Sequence, residues 1–401
     1  MKNFWIVFVV AAFILSCGGG GGSTPSPERI TFSGGGELGI FDPSIARDPG
    51  DGRLWTSYSA VDSSMFYSTD VYWAVSIRLA YSDDNGGTWT DAGIVAAPYT
   101  ERVVGPMIES DPLSDIGATS AGTWQSETSS LIYDPGAPAD ERWKLIWFQY
   151  LNANLVSYFL DYSWIAMKTA ASPLDLAAAE PVKLFGGFGI QSEGGNIGSP
   201  VYSPIAGTPA IALNSDLTMA AFGESLSDLD TCVFAEPGLA TTNTAVYLSI
   251  FCIDVSLPEE NLLHFKCESP CAMTDAADWE YLGKLLTPAD AAFETNRDHY
   301  QAPAIVQKDG RSYLIATPVD TTIGNRYDGC RVYEFADLDT SELLTDGRGL
   351  VEVANASGEP DLHNGACEGF PGMDGGIIYS QFDPDNAPET FRIYKSQVEL
   401  P

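Results

Sequence analysis

The residues after Glu28 form a repeat of short strands, and this repeat limits what the chain can fold into more than any other feature. Runs of β-branched and aromatic residues alternate with clusters of Gly, Pro, Asp and Asn, the pattern of strands joined by tight turns. Two clear examples are residues 41–59 and 301–317, in which strand runs flank the same Asp-Gly-Arg triplet. Helix-period patterns are almost absent, so the sequence predicts an all-β fold of repeated units.

The unit occurs about five times, and in each copy a third strand follows a pair of strands. The pairs begin near Phe41, Ser129, Ala235, Gln301 and Cys367. Four strands repeated about five times is typical of a β-propeller. We therefore predict a single domain over residues 29–401, a five-bladed β-propeller with six blades as the alternative. Residues 195–225 match no unit and are either a long insertion in the second repeat or the sixth blade. We expect residues 29–32 to close the ring by pairing with the last blade near residues 397–399.

The first seventeen residues indicate export and lipidation. A short basic start precedes an unbroken apolar run over residues 4–15, too short for the roughly 20 residues of a membrane span but suited to a signal peptide. Ser16, Cys17 and a glycine run follow. This order resembles the lipobox of bacterial lipoproteins, which implies a signal peptide over 1–16, acylation of Cys17 and a flexible tether over 17–28. A cleaved signal with a spare cysteine is the alternative.

The same resemblance and the charge bear on location and partners. Gly18 after the cysteine favours the outer membrane of the cell envelope, at its periplasmic face or at the cell surface. The chain has 20 Lys and Arg against 54 Asp and Glu, a net charge of −34. This excess of acid argues against nucleic acid as a partner and against electrostatic docking on anionic lipid. It favours neutral or cationic ligands, and we expect a monomer that binds a glycan or a surface protein.

Six cysteines remain after Cys17, an even number that predicts disulfide bonds in an exported chain. Six cysteines allow fifteen connectivities. Pairing of sequence neighbours gives the expected set Cys232–Cys252, Cys267–Cys271 and Cys330–Cys367. A metal site at Cys267 and Cys271 with His264 is the rival interpretation, disfavoured because no second cysteine pair has zinc spacing.

A turn motif supports the propeller. Residues 82–89 read Ser-Asp-Asp-Asn-Gly-Gly-Thr-Trp. They match the Asp-box, S-x-D-x-G-x-T-W, at all of its fixed positions: Ser82, Asp84, Gly86, Thr88 and Trp89. The motif resembles those of sialidases and other repeat propellers, in which it forms a hairpin between outer strands. The Asp caps the turn, the Gly takes a positive φ and the Trp packs into the blade, so the motif indicates fold rather than chemistry.

Asp42 and Glu236 occupy the same position in two repeats, directly before a proline. The motifs around them resemble the blade openings of five-bladed glycoside hydrolases of the arabinanase, xylosidase and fructosidase type. In that family an Asp of the first blade is the base or nucleophile, and a Glu of a later blade is the general acid. The resemblance therefore implies Asp42 as base and Glu236 as acid, two carboxylates across one cavity. The alternative is that both residues cap turns at blade entrances.

The family also uses a third carboxylate, which orients the substrate or adjusts the pKa of the acid. Repeat alignment puts Thr128 at that place and Glu127 one residue earlier, and a slip of one residue reverses the face of a strand. Glu127 is nevertheless the third catalytic candidate. Glu368 in the last repeat is a substitute by position only, and we take it as a candidate for ligand binding.

Three further residues are candidates for contacting a sugar. His299 opens the fourth repeat, Gln301 follows it by two residues, and Trp55 offers an aromatic face. In the hydrolase family a His in a corresponding blade ligates a central calcium through water or contacts the sugar, so the resemblance makes Ca²⁺ the cofactor to test. The sequence has no D-x-D-x-D-G calcium loop. A surface histidine and a core tryptophan are the alternatives.

These features leave different classes of function open. One is a glycoside hydrolase that uses paired carboxylates as acid and base. Another is a non-catalytic propeller that binds a glycan or a protein partner at the outer membrane. An exo-sialidase-like enzyme is a further alternative, which is weakened because the arginine motif of that family is missing around Asp42.

Overall fold

The computed structural model describes residues 27–34, 36–67, 70–103, 120–153, 156–157, 163–186, 229, 232–254, 259–359, 362–369, 376–383, 385 and 389–401. Residues 195–225, which matched no repeat, lie outside these residues, and so do the signal segment and Cys17. No helix in the described part of the chain is long and apolar enough to cross a membrane.

The described strands form five separate sheets, which confirms the predicted five-bladed propeller. The N-terminal strand β1 (Glu28–Ile30) belongs to the fifth sheet. The first sheet contains β2 (Phe32–Ser33), β3 (Ile40–Arg47), β4 (Leu54–Tyr67), β5 (Asp70–Ser82) and β6 (Trp89–Ala96). The second contains β7 (Tyr99–Val103), β8 (Ser120–Tyr133), β9 (Trp143–Ala153), β10 (Val156–Ser157), β11 (Ser163–Ala170) and β12 (Val182–Gly186). The third contains β13 (Cys232–Thr241), β14 (Ala245–Asp254), β15 (Glu259–Glu268) and β16 (Trp279–Leu286).

The fourth and fifth sheets complete the ring. The fourth contains β17 (His299–Lys308), β18 (Arg311–Asp320), β19 (Arg326–Tyr327), β20 (Cys330–Asp337), β21 (Glu342–Leu343) and β22 (Glu352–Ala356). The fifth contains β23 (His363–Gly369), β24 (Ile377–Phe382), β25 (Phe391–Lys395) and β1. A short helix, α1 (Pro288–Thr295), links the third sheet to the fourth. The strands β3, β8, β13, β17 and β23 contact one another in a closed circle and form the inner ring.

The N-terminal strand closes the ring in the last blade, as predicted, but at a different register. Residues 28–30 pair antiparallel with residues 393–395 of β25, not with residues 397–399. Phe32 leaves this blade and pairs in parallel with Trp89 of β6 in the first blade. Its ring stacks on Tyr58 at a centroid distance of 4.3 Å. The first segment of the domain therefore ties the last blade to the first.

Every inner strand carries an irregularity at the same place. Each of the five inner strands has one residue with φ between 46° and 51°, namely Asp42, Thr128, Glu236, Ala302 and Ala366. The register of each inner strand against its second strand shifts at that residue. Such a β-bulge with a left-handed residue turns the local direction of the side chains. Residues other than glycine adopt this conformation rarely, so its recurrence in all five inner strands shows that the bulge is part of the repeated structure of the blades.

In three of the five bulges, the backbone N–H donates to a hydroxyl group of the neighbouring blade. The N–H of Asp42 donates to Ser380 Oγ at 2.8 Å, and that of Thr128 donates to Ser59 Oγ at 2.9 Å. The N–H of Ala366 donates to Thr317 Oγ1 at 3.0 Å. In the second and third blades the equivalent residues of the second strand are phenylalanines, Phe148 and Phe251.

Tryptophan side chains fill the core between the first two blades. Trp124 and Trp164 lie 4.2 Å apart between ring centroids, and Trp143 and Trp147 belong to the same cluster. Trp55 is part of this cluster and only 3% exposed, with Tyr81 against its ring. The expectation that Trp55 contacts a sugar is therefore corrected, because its aromatic face is used in core packing.

The turn over residues 82–89 adopts the hydrogen-bonding pattern that the Asp-box requires. Asp84 accepts from Ser82 Oγ at 2.7 Å and from the N–H and hydroxyl of Thr88 at 2.8 and 2.7 Å. Gly86 has a φ of 86°, and its N–H donates to Ser82. Trp89 is 5% exposed and packs in the first blade.

All three expected disulfides are present: Cys232–Cys252, Cys267–Cys271 and Cys330–Cys367. The first joins two neighbouring strands of the third blade, and the second closes a short loop after β15. The third joins β20 of the fourth blade to β23 of the fifth. The rival metal site at Cys267 and Cys271 is thereby ruled out, since both sulfurs are bonded to each other.

Candidate active site

Three carboxylates from consecutive blades meet at the inner ring: Asp42 on β3, Glu127 on β8 and Glu236 on β13. Each is enclosed by protein yet part-exposed, as expected for a group that lines a cavity. Burial is the largest cause that raises the pKa of each, because it penalises the charged form. The charges of Glu127 and Glu236 raise the pKa of Asp42 further, and Glu236 contributes to raising that of Glu127 to about 7. The three acids therefore lie within electrostatic reach of one another.

Asp42 is oriented by hydroxyl groups from two blades. Its Oδ2 accepts from Ser59 Oγ at 3.2 Å and from Thr128 Oγ1 at 3.0 Å. Both hydrogen bonds lower its pKa, but burial and the neighbouring acids outweigh them and hold the pKa well above the ordinary value. Asp42 is thus fixed in direction, and its ionisation is shifted to higher pH.

Glu127 reaches the site because of the bulge at Thr128. A regular strand would send these two consecutive side chains to opposite faces. The register shifts between Glu127 and Ser129, so the alternation is broken and both side chains act on the same cluster. A hydrogen bond with Tyr150 on β9 also holds Glu127.

Glu236 has a hydrogen-bond donor on each carboxyl oxygen. The N–H of Ala302, at the bulge of the next blade, donates to Oε2 at 2.7 Å. The hydroxyl of Tyr327 donates to Oε1, also at 2.7 Å. Both bonds favour the charged form and oppose the effect of burial on the pKa of Glu236.

His299 and Gln301 lie beside Glu236 but are engaged with each other. His299 Nδ1 lies 2.5 Å from Glu260 Oε2, and its Nε2 lies 2.9 Å from Gln301 Nε2. This network assigns Nδ1 as donor and Nε2 as acceptor. The His299 ring is 2% exposed and stacks on Phe251 at 5.7 Å. Because both ring nitrogens have partners, the expected direct contact of His299 with a sugar or a hydrated calcium is corrected: the ring is held in place by Glu260 and Gln301.

The residues around Glu236 and His299 do not form a suitable ligand set for calcium. Within the described ranges, no three His, Cys, Asp or Glu side chains are arranged to hold a metal ion. The oxygens of Glu236 are already hydrogen-bonded, and His299 is paired with Glu260. The residues therefore do not fit the calcium that the family resemblance suggested.

Glu368 does not join the carboxylate cluster, which corrects its assignment to ligand binding. It lies two residues beyond the bulge Ala366, 9% exposed, and its Oε1 accepts from the N–H of Gly369 at 2.8 Å. Ser44 and the backbone of Ile45 in the first blade are its other partners. Ser44 binds the N–H of Leu131 in the second blade in a comparable way. Glu368 is therefore a buried link between the last blade and the first.

This buried link makes the stability of the fold depend on pH. Burial raises the pKa of Glu368 from 4.5 to about 7, so ionisation of the folded form is unfavourable. The stabilising protonated state is complete below pH 4.5 and is lost as the pH rises to 7. Glu368→Gln removes this loss, and its free energy of unfolding relative to the wild type should rise by about 3 kcal/mol between pH 4.5 and 7.5. Urea unfolding at both pH values measures it, and an equal difference at the two pH values would contradict it.

The site also contains two tyrosines and one glutamate that the sequence did not predict: Tyr150, Tyr327 and Glu260. Tyr150 lies in the second strand of its blade and Glu260 near the start of a third strand, at places that no repeat position marks. Tyr327 lies in β19, a short strand that pairs only with the end of β18. The residues around Tyr327, with Gly324 and Gly329, predict a loop, but they do not show that this loop reaches the carboxylates.

Positive charge is scarce around the three acids. The groups that act most strongly on their pKa values are other acids, hydroxyls, backbone N–H groups and His299, and no arginine of the described residues is among them. A carboxylate-bearing ligand would therefore meet repulsion without a compensating cation.

Comparison with known proteins finds similarity among solved structures only. No protein-family model matches the chain, and no curated protein of similar sequence is found. Among solved structures, Bombyx mori GH32 beta-fructofuranosidase BmSUC1 has 12% identity and a TM-score of 0.48 over 94% of this chain and 62% of its own. A thermostable family-43 glycoside hydrolase has 11% identity and a TM-score of 0.48 over 92% and 91%. The Hadza microbial sialidase Hz136 has 11% identity and a TM-score of 0.41 over 86% and 53%. The chain thus spans less than two thirds of the first and third of these proteins, and the likeness concerns the fold alone.

Proposed function

We propose that this protein is a glycoside hydrolase that cleaves a neutral sugar from a glycan, with Asp42 and Glu236 as the reacting pair. One observation carries the proposal: bulges at the same position of two inner strands bring both carboxyls, with Glu127, into one cluster. Two carboxyl groups on either side of the bond are what glycosidic cleavage needs. The scarcity of positive charge around them supports a neutral sugar.

The chemistry follows from the surroundings of each acid. Protonated Glu236 is the source of the proton that the glycosidic oxygen receives while the bond from that oxygen to the anomeric carbon breaks. Ionised Asp42, held by Ser59 and Thr128, either removes a proton from the attacking water or attacks the anomeric carbon itself. When ionised, Glu127 raises the pKa of Asp42, and the charge of Glu236 helps to raise the pKa of Glu127 in turn.

A screen of model glycosides tests the proposal. Release of arabinose, xylose or fructose by the purified chain supports it. Binding on a glycan array without any turnover would replace it with the non-catalytic propeller. Release of sialic acid would favour the exo-sialidase alternative, for which the hydrogen bond between Tyr327 and Glu236 is the one favourable observation, since that family uses a tyrosine nucleophile.

Glu127→Gln tests the role of the third acid through the pH profile. Removing its negative charge takes away a cause that raises the pKa of Asp42, so Asp42 ionises at lower pH. If Asp42 acts as the base, the acidic limb of the kcat/KM profile should move down by roughly one pH unit. Glu280→Gln, an exposed acid on β16, is the control and should leave the limb in place. An unmoved limb in Glu127→Gln would contradict this role.

We also propose that the protein is anchored in a bacterial outer membrane by acylation of Cys17. The support is the order of apolar run, small residue, cysteine and glycine tether in the sequence. Detergent-phase partitioning of the full chain from a bacterial host, with and without Cys17→Ala, tests this anchor. Recovery of the wild-type chain in the aqueous phase would overturn it.

A further inference from the structure

Tyr327 is delivered to the carboxylates by a segment that is fixed on several sides. Its strand β19 pairs with the end of β18, with Tyr327 opposite Val319. The next residue, Asp328, pairs with Arg297, 2.6 Å from Nη2, and its N–H donates to Pro318 O at 2.9 Å. The segment is therefore anchored immediately beyond the tyrosine.

The inner strand of the fifth blade leaves room for the tyrosine ring. A Cβ on Gly365 would lie 2.7 Å from Tyr327 Cδ2 and 2.4 Å from Thr317 Cγ2. Both distances are shorter than real contacts, so a larger residue would push the ring or the strand away. The glycine at this place is what admits the tyrosine side chain.

The hydroxyl of Tyr327 lies among all three acids. It donates to Glu236 Oε1 at 2.7 Å, and the charges of Glu236, Asp42 and Glu127 all act on it. Burial and these charges raise the pKa of Tyr327 well above its ordinary value, so the phenol keeps its proton. A neutral phenol both donates and accepts hydrogen bonds, unlike a carboxylate.

The two oxygens of Glu236 are not equivalent. Oε2 accepts from the N–H of Ala302, a donor that cannot reverse. The proton that Glu236 carries as an acid therefore belongs on Oε1, the oxygen in contact with Tyr327. When Oε1 carries this proton, the hydrogen bond reverses: Oε1 donates to the phenol oxygen, and the phenol proton is free for another acceptor.

We infer that Tyr327 is a catalytic residue that passes the proton of Glu236 to the leaving group. Glu236 Oε1 gives its proton to the phenol oxygen while the phenol gives its own proton to the glycosidic oxygen. The bond from the anomeric carbon to that oxygen breaks, Glu236 is left as a carboxylate, and Tyr327 is again a neutral phenol. This inference rests on the proposed glycosidase function.

Tyr327→Phe, assayed on two classes of substrate, tests the transfer. Glycosides with poor, natural-type leaving groups need the proton, and their kcat should fall about 100-fold. Glycosides with a 4-nitrophenyl group leave without a proton, and their kcat should fall less than about fivefold on the same reasoning. Tyr394→Phe on β25 is the matched control and should change neither. Gly365→Ala should reproduce the pattern of Tyr327→Phe, because it displaces the ring while keeping the hydroxyl.

A proton inventory in mixed light and heavy water gives a second measure. The wild type should show a curved dependence, from two protons moving together, and Tyr327→Phe a linear one. Equal losses on both classes of substrate, or a linear inventory in the wild type, would overturn the transfer and leave the glycosidase proposal standing. Absence of turnover of every glycoside by the wild type would instead overturn both.

Discussion

Asp42→Asn and Glu236→Gln should each lower kcat/KM for the released sugar by about 1,000-fold, within the range that general acids and bases contribute. Neither substitution changes the size of the side chain. Asp42→Asn removes the group that activates water or attacks the sugar, and Glu236→Gln removes the proton for the leaving group. Steady-state kinetics on the best substrate from the glycoside screen measure both.

The leaving group separates the two roles. A 4-nitrophenyl glycoside should recover much of the activity of Glu236→Gln, because such a group departs without protonation. Asp42→Asn should stay inactive on the same substrate. Glu280→Gln, an exposed acid of the same blade as Glu236, should behave as the wild type. If either active-site variant keeps its activity within threefold of the wild type, the assignment of that residue fails.

The fivefold repeat was predictable because inner strands are coded locally. Each unit begins with a run of strand formers that ends in a turn, so stacking the runs reveals the blades without any knowledge of distant contacts. Asp42 and Glu236 were found because they occupy one repeat position before a proline. In a closed ring, equal repeat positions converge on the centre, so their proximity follows from the topology.

The remainder of the site depends on contacts that no repeat position marks. The bulge at Thr128 is a feature of the backbone. The regular alternation of side chains between the two faces of a strand therefore could not show that Glu127 faces the site. Tyr327 arrives from β19, whose pairing with the end of β18 has no counterpart in the repeat pattern of the sequence. Trp55 and Glu368 were misassigned because position in a repeat does not show which partners a side chain already has.

The inner ring explains how the site is built from a structural repeat. In three blades a Ser or Thr of the second strand accepts the bulge N–H of the next blade, as Thr317 does for Ala366. Phe251 replaces that hydroxyl in the third blade, so the N–H of Ala302 needs another acceptor. Glu236 supplies it through Oε2. The active-site acid therefore also satisfies a backbone group that the repeat leaves unpaired.

Loss of the Cys330–Cys367 disulfide should be the largest single change in stability. The bond joins β20 to β23 across two blades and closes a loop with a sequence separation of 37. A cross-link restricts the unfolded chain more when its loop is longer, and this separation corresponds to about 4 kcal/mol. We expect Cys330→Ala with Cys367→Ala to lower the free energy of unfolding by that amount in urea without reductant. Both cysteines are buried, and a single substitution would leave the other as a free thiol in the core. The double substitution avoids this.

The Cys267–Cys271 bond provides the matched comparison, because its sequence separation is only 4 and its loop term corresponds to about 2 kcal/mol. Cys330 also follows Tyr327 by three residues, so the longer-range bond holds the strand that leads away from the site. Its removal should therefore lower kcat as well as stability, whereas removal of Cys267–Cys271, in another blade, should lower stability alone. Equal losses of stability in the two double variants would show that loop length does not set the contribution of these bonds. Unchanged kcat in the Cys330 and Cys367 variant would show that β19 and its tyrosine keep their position without the cross-link between the fourth and fifth blades.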